Sequence, residues 1–261
     1  MLFWYLLLNY YKGRNFKVIL FYTTNIDANI ARLSEDEARH CAKTLRKKVG
    51  DIIHIIDGKG GMFKGEIWTI DKRTVAVNLI EKLSSENIQD FKIHIAIAPT
   101  KNISRFEWFL EKATEIGVTE ITTILCQRSE RKNIRIDRLN KVLIAAMKQS
   151  LKSTLPILND LTPFNKFLNQ LEQKPDTQYF IAHCEEGNNI HLKTKYHPKR
   201  NVIILIGPEG DFSPPEIQLA QDTSFEAISL GASRLRTETA GIVACHTIHL
   251  CNDAIVEKAT D

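Results

Sequence analysis

The apolar positions follow two rhythms along the chain. Between residues 18 and 81 they alternate or form short runs, over 18–22, 52–56, 62–70 and 75–80. That spacing predicts β-strands, and Asp57-Gly58-Lys59-Gly60-Gly61 between two of them predicts a hairpin turn. Short strands joined by turns point to a small β-barrel. One helix interrupts them, announced by Ser34 and Glu37 as a capping box. Its apolar residues Ala38, Cys41, Ala42 and Leu45 follow i, i+3, i+4, i+7 spacing, which leaves Arg39, His40, Lys43, Arg46 and Lys47 nearer the open side. That side is basic.

Residues 82–92 lose both periodicities and read as a linker. After it, apolar runs alternate with helical stripes. Residues 93–98 predict a strand, and Ser104 with Glu107 predict a second capping box. Phe106, Phe109, Leu110, Ala113 and Ile116 then stripe a helix that Gly117 ends. A strand over 121–125 is followed by a helix from about Asp137 that turns Val142, Leu143 and Ala146 inward. Strands over 178–182, 202–206 and 226–230 precede a last helix over 238–252. Strands alternating with helices predict an α/β domain with a parallel sheet covered on both faces.

At 261 residues, with 43% hydrophobic and 25% charged positions, the composition is that of a globular protein. The charge is uneven: net +3 over residues 1–90, +6 over 91–155 and −5 over 156–261. A basic front and middle suit a polyanion partner, although solvated faces of unequal charge would look the same. Five cysteines without a C-x-x-C pair indicate neither a disulfide framework nor a zinc ribbon, and fit a reducing cytoplasm. The apolar opening, Met1 to Leu8, lacks a basic leader and meets Asn9, Lys12 and Arg14 too soon to span a bilayer. It reads as an extension outside the core, with a membrane anchor as the lesser alternative.

Val202-Ile203-Ile204-Leu205-Ile206 has no polar face, which marks a central strand, and Gly207-Pro208-Glu209-Gly210 follows it directly. Ser213, Pro214, Pro215 and Glu216 then supply an N-cap, a proline at the first helical position and a capping-box acid. In open parallel sheets, ligands sit outside the carboxyl ends of strands, where glycine-bearing loops let backbone N–H groups approach. Glu209 would repel phosphates, so the loop favours a ligand with hydroxyl or amine donors, such as a ribose or an amino-acid group; a plain turn is the bland alternative. The second such loop, Leu230-Gly231-Ala232-Ser233-Arg234-Leu235-Arg236-Thr237-Glu238-Thr239-Ala240-Gly241, crowds more charge at a helix start than a turn needs.

Together, residues 206–210 with Phe212, Ser213 and Glu216, and Leu230-Gly231 with Leu235 to Ala240, resemble the two C-terminal signatures of the ribosomal RNA small subunit methyltransferase E family. That family belongs to the knotted SPOUT methyltransferases. The resemblance extends upstream through Leu20-Phe21-Tyr22, His40, Leu45-Arg46, Gly50-Asp51, Lys101, Arg105-Phe106-Glu107, Lys112 to Val118, Gln149-Ser150 and Pro156. Two departures stand out. Asp211 replaces a usual second glycine, which would matter if that position has φ > 0, and Ser233-Arg234 replaces a usual arginine and aliphatic residue.

The resemblance implies a PUA-like RNA-binding β-barrel over 17–85, after an extension over 1–16, and a SPOUT domain with a trefoil knot over 92–261. It also implies a homodimer, S-adenosyl-L-methionine as cofactor, and methylation of uridine N3 in 16S rRNA of the small ribosomal subunit. Cofactor contacts then fall on residues 183–187, starting at His183, and on Leu205, Ile206, Gly207, Pro208, Glu209 and Gly210. Leu230, Gly231, Arg234, Leu235, Thr239 and Ala240 complete them. Uracil N3 is protonated at neutral pH, so transfer needs that proton removed or the developing anion stabilised; Arg236 is the candidate electrostatic stabiliser, with Glu209 or Glu238 positioning groups nearby. The RNA-binding candidates are His40, Arg46, Lys47, Lys101, Arg105, Arg128, Arg131, Lys148, Gln149 and Ser150. Among these, the basic run from Arg128 to Arg135 reads as a loop gripping phosphates, so neutralising Arg128 or Arg131 should weaken salt-dependent RNA binding.

No metal is expected: His183-Cys184-Glu185-Glu186 are adjacent side chains that converge poorly on one ion, and Cys245, His246, His249 and Cys251 suit helix packing. The alternatives are a methyltransferase of the same fold acting on tRNA, and a non-catalytic RNA-binding factor in ribosome assembly.

Overall fold

The computed structural model describes residues 18–85, 89–184 and 190–258. The expectations for residues 1–16 and for 185–187 lie outside them. Two compact units emerge, one from residues up to 87 together with Leu151–Thr154, the other from 88–150 and 155–261.

The first unit is a curled six-stranded sheet of β1 (Leu20–Tyr22), β2 (Ile26–Asp27), β3 (Ile30–Arg32), β4 (Ile52–Ile56), β5 (Gly61–Ile70) and β6 (Val75–Ser85), in the order β1-β4-β5-β6-β3-β2. Alternate residues of its strands, Phe21, Ala31, Ile53, Ile55, Ile67, Val75 and Val77, form the core. Asp57 closes the β4–β5 hairpin, its Oδ1 accepting from the N–H groups of Lys59 at 2.7 Å and Gly61 at 2.8 Å. Two features differ from the sequence expectation. The β2–β3 hairpin was not anticipated, because strands of two and three residues are too short to show alternation. Strand β6 also runs four residues into the expected linker, ending at Ser85.

Helix α1 (Glu35–Arg39) starts as expected, with Ser34 Oγ accepting from Glu37 N at 3.4 Å. It then widens into a π-turn, His40–Thr44, in which Leu45 N–H donates to His40 O. Ala38 and Cys41 are buried by this arrangement, whereas Ala42 and Leu45 are only partly covered. Arg46 follows with φ 53°, exposed alongside Arg39 and Lys43.

The second unit is a six-stranded sheet in the order β12-β10-β11-β7-β8-β9, with every neighbouring pair parallel. Its strands are β7 (Ile93–Ile97), β8 (Glu120–Leu125), β9 (Ile157–Pro163), β10 (Thr177–Ala182), β11 (Asn201–Ile206) and β12 (Glu226–Ile228). Between and after them run α2 (Ile103–Ile116), α3 (Ile136–Gln149), α4 (Phe164–Gln170), α5 (Leu192–Lys195), α6 (Pro214–Asp222) and α7 (Thr237–Lys258).

Central strands lack a polar face because both faces are covered. Val202, Ile204 and Ile206 pack with Ile93, Ile95 and Ile97 under Phe106, Phe109, Leu139 and Leu143, and under Ala244, Cys245 and Ile248 of α7. The intervening Ile203, Leu205, Ala96 and Ala98 meet Phe164, Phe167, Ile217 and Ala220 of α4 and α6. The N-cap of α2 is Asn102, whose side chain accepts from Ser104 N at 3.0 Å, rather than Ser104 itself. Glu107 is instead held by the Arg138 guanidinium at 3.0 Å. Edge strand β9 escaped notice because its exposed and half-buried residues carry no apolar rhythm, and α4 and α5 are short.

Candidate active site

The carboxyl ends of β10, β11 and β12 open onto one cavity of about 1150 Å³. A cleft of this size between strand ends is the ordinary place for a ligand in a parallel α/β sheet. The loop after β10 contributes His183 and Cys184, and the loop after β11 contributes Ile206, Gly207, Pro208, Glu209 and Gly210. From the loop after β12 come Leu230, Gly231, Arg234, Leu235 and Arg236, with Ala240 in the first turns of α7.

Each loop has a local cause. Pro208 to Asp211 form a turn closed by Asp211 N–H donating to Pro208 O at 2.9 Å. Gly207 lies so close to the Phe212 ring that an added Cβ would stand 3.1 Å from it. Thr237 Oγ1 donates to Gly207 O at 3.0 Å, tying the start of α7 to the loop. On the far side, the capping box predicted for α6 is present with both halves. Glu216 is buried, and its carboxylate accepts from Ser213 N at 2.9 Å, Ser213 Oγ at 2.8 Å and Gln127 N at 2.7 Å.

Asp211 has φ 63°, the left-handed conformation that a glycine would adopt without strain and that aspartate tolerates better than most residues. Its carboxylate compensates: Oδ1 accepts from Phe212 N and Oδ2 from Cys184 N, each at 2.8 Å. The departure therefore links the β11 loop to the β10 loop. Burial, with Asp211 second, pushes the Cys184 thiol up, against the opposing effect of Arg234. A neutral thiol is a poor nucleophile.

Three expected site residues do not face the cavity. Leu205 is fully buried beneath it. Glu238 is buried too, with Oε1 3.9 Å from Arg105 Nε and Oε2 without a hydrogen-bond partner among the described residues. Thr239, beside it on α7, is half-buried and is not part of the cavity lining. Glu209 divides its carboxylate: Oε1 accepts from Lys101 N at 2.9 Å, whereas Oε2 is buried and has no hydrogen-bond partner among the described residues.

Sequence reasoning missed His191, Ile228 and Ser229 as lining residues. His191 reaches the cavity only because it bridges to Ser229, a pairing without a local signal. Arg128, expected on an RNA surface, lines the cavity and donates to Gly210 O at 3.0 Å and Phe212 O at 3.2 Å. Arg131 likewise donates to Thr100 O at 2.9 Å and Lys101 O at 2.5 Å.

The other RNA candidates are dispersed. Lys101 holds Glu130 at 2.7 Å, Ser150 Oγ turns back to Ala146 O at 2.8 Å, Lys148 is half-buried and Gln149 exposed. In the first unit, His40 and Lys47 are half-buried and Arg46 is exposed. Among the described residues, no group of three or more His, Cys, Asp or Glu is placed to hold a metal ion.

Comparison with known proteins matches residues 87–249 to an RNA methyltransferase domain and residues 33–80 to an RNA methyltransferase PUA domain. The ribosomal RNA small subunit methyltransferase E of Rickettsia conorii is 30% identical over 229 residues, covering 87% of this chain and 92% of that protein. A Porphyromonas gingivalis structure assigned as an rRNA-methyltransferase superposes with a TM-score of 0.83 at 40% identity, covering 91% of this chain and 100% of the other. A Legionella pneumophila protein assigned as a methyltransferase and solved with the bound cofactor SAM gives a TM-score of 0.80 at 25% identity, covering 91% and 99%. The curled sheet is thus PUA-like, the parallel sheet is a SPOUT-type methyltransferase domain, and the chain belongs to the ribosomal RNA small subunit methyltransferase E family.

Proposed function

We propose that this protein methylates N3 of a uridine in 16S ribosomal RNA, with S-adenosylmethionine as the methyl donor. The observation that carries this reading is the convergence of the two glycine-bearing loops on one cavity, with Glu209 on one wall and Arg234 and Arg236 on another. The Rickettsia relative is named for small-subunit ribosomal RNA, and the Legionella neighbour is described with bound SAM.

The residues present fit such a cofactor. Glu209 Oε2, without a hydrogen-bond partner among the described residues, offers an acceptor for hydroxyl or ammonium donors. Gly207 and Gly210 leave room for the Phe212 ring and the Arg128 side chain, which a Cβ at either position would crowd at 3.1 and 3.2 Å. When bound, S-adenosylmethionine supplies an electrophilic methyl group on a sulfonium. The residues that would hold it are His183, Ile206 to Gly210, Leu230, Gly231, Arg234, Leu235 and Ala240. Arg236 is exposed at the cavity wall, where its cation would stabilise charge growing on the uracil oxygens as the N3 proton leaves. The domain limits of 17–85 and 92–261 and the trefoil knot belong to this reading.

The active form in this reading is a homodimer. Helices α2 and α7 pack side by side and expose Trp108 at 44% and Leu250 at 47%, apolar surface that a second copy of this chain would cover. Five cysteines without a C-x-x-C pair fit the cytoplasmic setting of this reading, and among the described residues no helix is long and apolar enough to cross a membrane.

The test is incubation of the purified protein with S-adenosylmethionine and small subunits or 16S rRNA from a deletion strain, followed by nucleoside mapping. N3-methyluridine at one site is expected, and methylation of tRNA instead would overturn the substrate. In single-turnover measurements at saturating cofactor, Arg236→Ala should lower the rate by about 100-fold. An unchanged rate would remove Arg236 from the chemistry.

A further inference from the structure

The basic loop after β8 has an obvious role on charge alone, which is to grip RNA phosphates. Its geometry points elsewhere. Arg131 is half-buried, and its guanidinium spans two successive backbone carbonyls, Thr100 O at 2.9 Å and Lys101 O at 2.5 Å. Lys101 in turn donates its own backbone N–H to Glu209 Oε1 at 2.9 Å. A second clasp reinforces the same residue, since Lys101 Nζ pairs with Glu130, the neighbour of Arg131, at 2.7 Å. Three residues back in the same loop, Arg128 holds Gly210 O and Phe212 O, just after Glu209 in the chain.

Two consequences follow from this chain of contacts. Two of the five guanidinium N–H donors, on the Nε–Nη2 edge, are committed to carbonyls, which fixes the side chain's direction and leaves a phosphate only the remaining Nη1 side. The Glu209 carboxylate, fixed through one oxygen, then presents the other in a set direction. That other oxygen, Oε2, is buried and has no hydrogen-bond partner among the described residues, on a residue that lines the cavity. A buried carboxylate oxygen left without a donor is costly, so its retention indicates a donor that arrives with the ligand.

We infer that Arg131 is a positioning residue for the methyl-donor site: acting through the Lys101 backbone, it aims Glu209 Oε2 at an O–H or N–H donor of the bound cofactor. This rests on the S-adenosylmethionine reading given above. It assigns the loop's central arginine to cofactor binding rather than to RNA.

The experiment uses the full chain with S-adenosylhomocysteine as the probe, titrated calorimetrically into wild type, Arg131→Ala, Arg131→Lys, Glu209→Gln and the double variant Arg131→Ala/Glu209→Gln. Arg131→Ala should weaken binding about tenfold, as expected for loss of a charged hydrogen-bonding group. Arg131→Lys, with one ammonium in place of a fork, should fall between wild type and alanine. In the double variant, Arg131→Ala should add less than twofold to the Glu209→Gln loss, because it acts through that carboxylate. RNA affinity, and its slope against salt, should stay at the wild-type value. If Arg131→Ala does not fold, the Arg131→Lys and Glu209→Gln pair with their double variant decides the same question.

A flattened salt slope for RNA with S-adenosylhomocysteine affinity unchanged would make Arg131 a phosphate contact and overturn the inference. So would full additivity in the double variant. Wild type failing to bind S-adenosylhomocysteine would instead remove the cofactor reading on which the inference stands.

Discussion

The two walls of the cavity are built differently. On the β11 side, the loop from Gly207 to Asp211 is held by Thr237 Oγ1, the Arg128 guanidinium, the Lys101 N–H and its own turn. Across from it, the segment from Gly231 to Arg234 is exposed, and what shapes its start is local, with Ser229 Oγ and Gly231 exchanging hydrogen bonds at 3.2 and 3.1 Å. A side chain at Gly231 would have open space for 4 Å around it. A wall fixed before binding loses little freedom when a ligand arrives, whereas an exposed one can close over it and must be ordered in doing so. The braced side suits fixed recognition of the cofactor, and the exposed side, which adds Gly231 and Arg234 to the proposed cofactor contacts and also carries Arg236, suits adjustment as a second substrate arrives.

Breaking the braced wall should have the largest effect. Glu216→Ala strands three donors around a buried site and should cost about 3 kcal/mol of stability in urea unfolding. A loss under about 1 kcal/mol would show that the brace contributes little. On the exposed wall the expected change is smaller and of another kind. Gly231 has φ 130°, which side chains rarely adopt, so Gly231→Ala should strain the loop and weaken S-adenosylhomocysteine binding by about fivefold, the equivalent of roughly 1 kcal/mol. The unfolding midpoint should hardly move; a large drop there would mean that this wall is as integral as the other.

The smallest effect concerns the sheet beneath both. His94 is buried, with Nε2 2.7 Å from Thr122 Oγ1, and burial lowers its pKa below 6.5 while Glu120 opposes the shift. The unfolded chain then takes up the proton first, so His94 contributes no loss above pH 6.5 and destabilises progressively as pH falls below it toward the folded pKa. His94→Gln should reduce that slope in denaturant titrations at pH 7 and pH 5.5, and an identical slope would exclude the histidine as its source.

Much of this frame was legible in the sequence because periodicity reports burial directly. The run from Val202 to Ile206 has no polar face since helices cover both sides, and Ser213 with Glu216 announced α6 by a capping box that the structure contains. The cavity loops were legible for the same reason, as glycine-bearing segments placed at the ends of those strands. What stayed hidden depends on partners far away in the chain. Nothing near Arg131 indicates that it will meet the carbonyls of Thr100 and Lys101, thirty residues upstream, and a basic loop without that knowledge reads as a phosphate grip. Glu238 reads as a site acid because its position in the first turn of α7 is visible in the sequence, whereas its burial toward Arg105 is not. Asp211 was noticed as a departure, and only the fold reveals that its carboxylate substitutes a cross-loop tie for glycine's freedom.

Gly241 carries a consequence of a different order. A Cβ there would stand 2.5 Å from the Phe109 ring and 3.0 Å from Ile97 Cδ1, so α7 rests in a notch cut to the width of a bare backbone. The notch works as a depth gauge. Thr237 and Ala240, four residues and one residue before it on the same helix, border the cavity, and the axial seat of α7 therefore bears on how deep that cavity is. Alleles with larger residues at position 241 would lift the helix and alter that depth, which makes this glycine a place to look for temperature-sensitive variants whose defect is cofactor retention rather than folding.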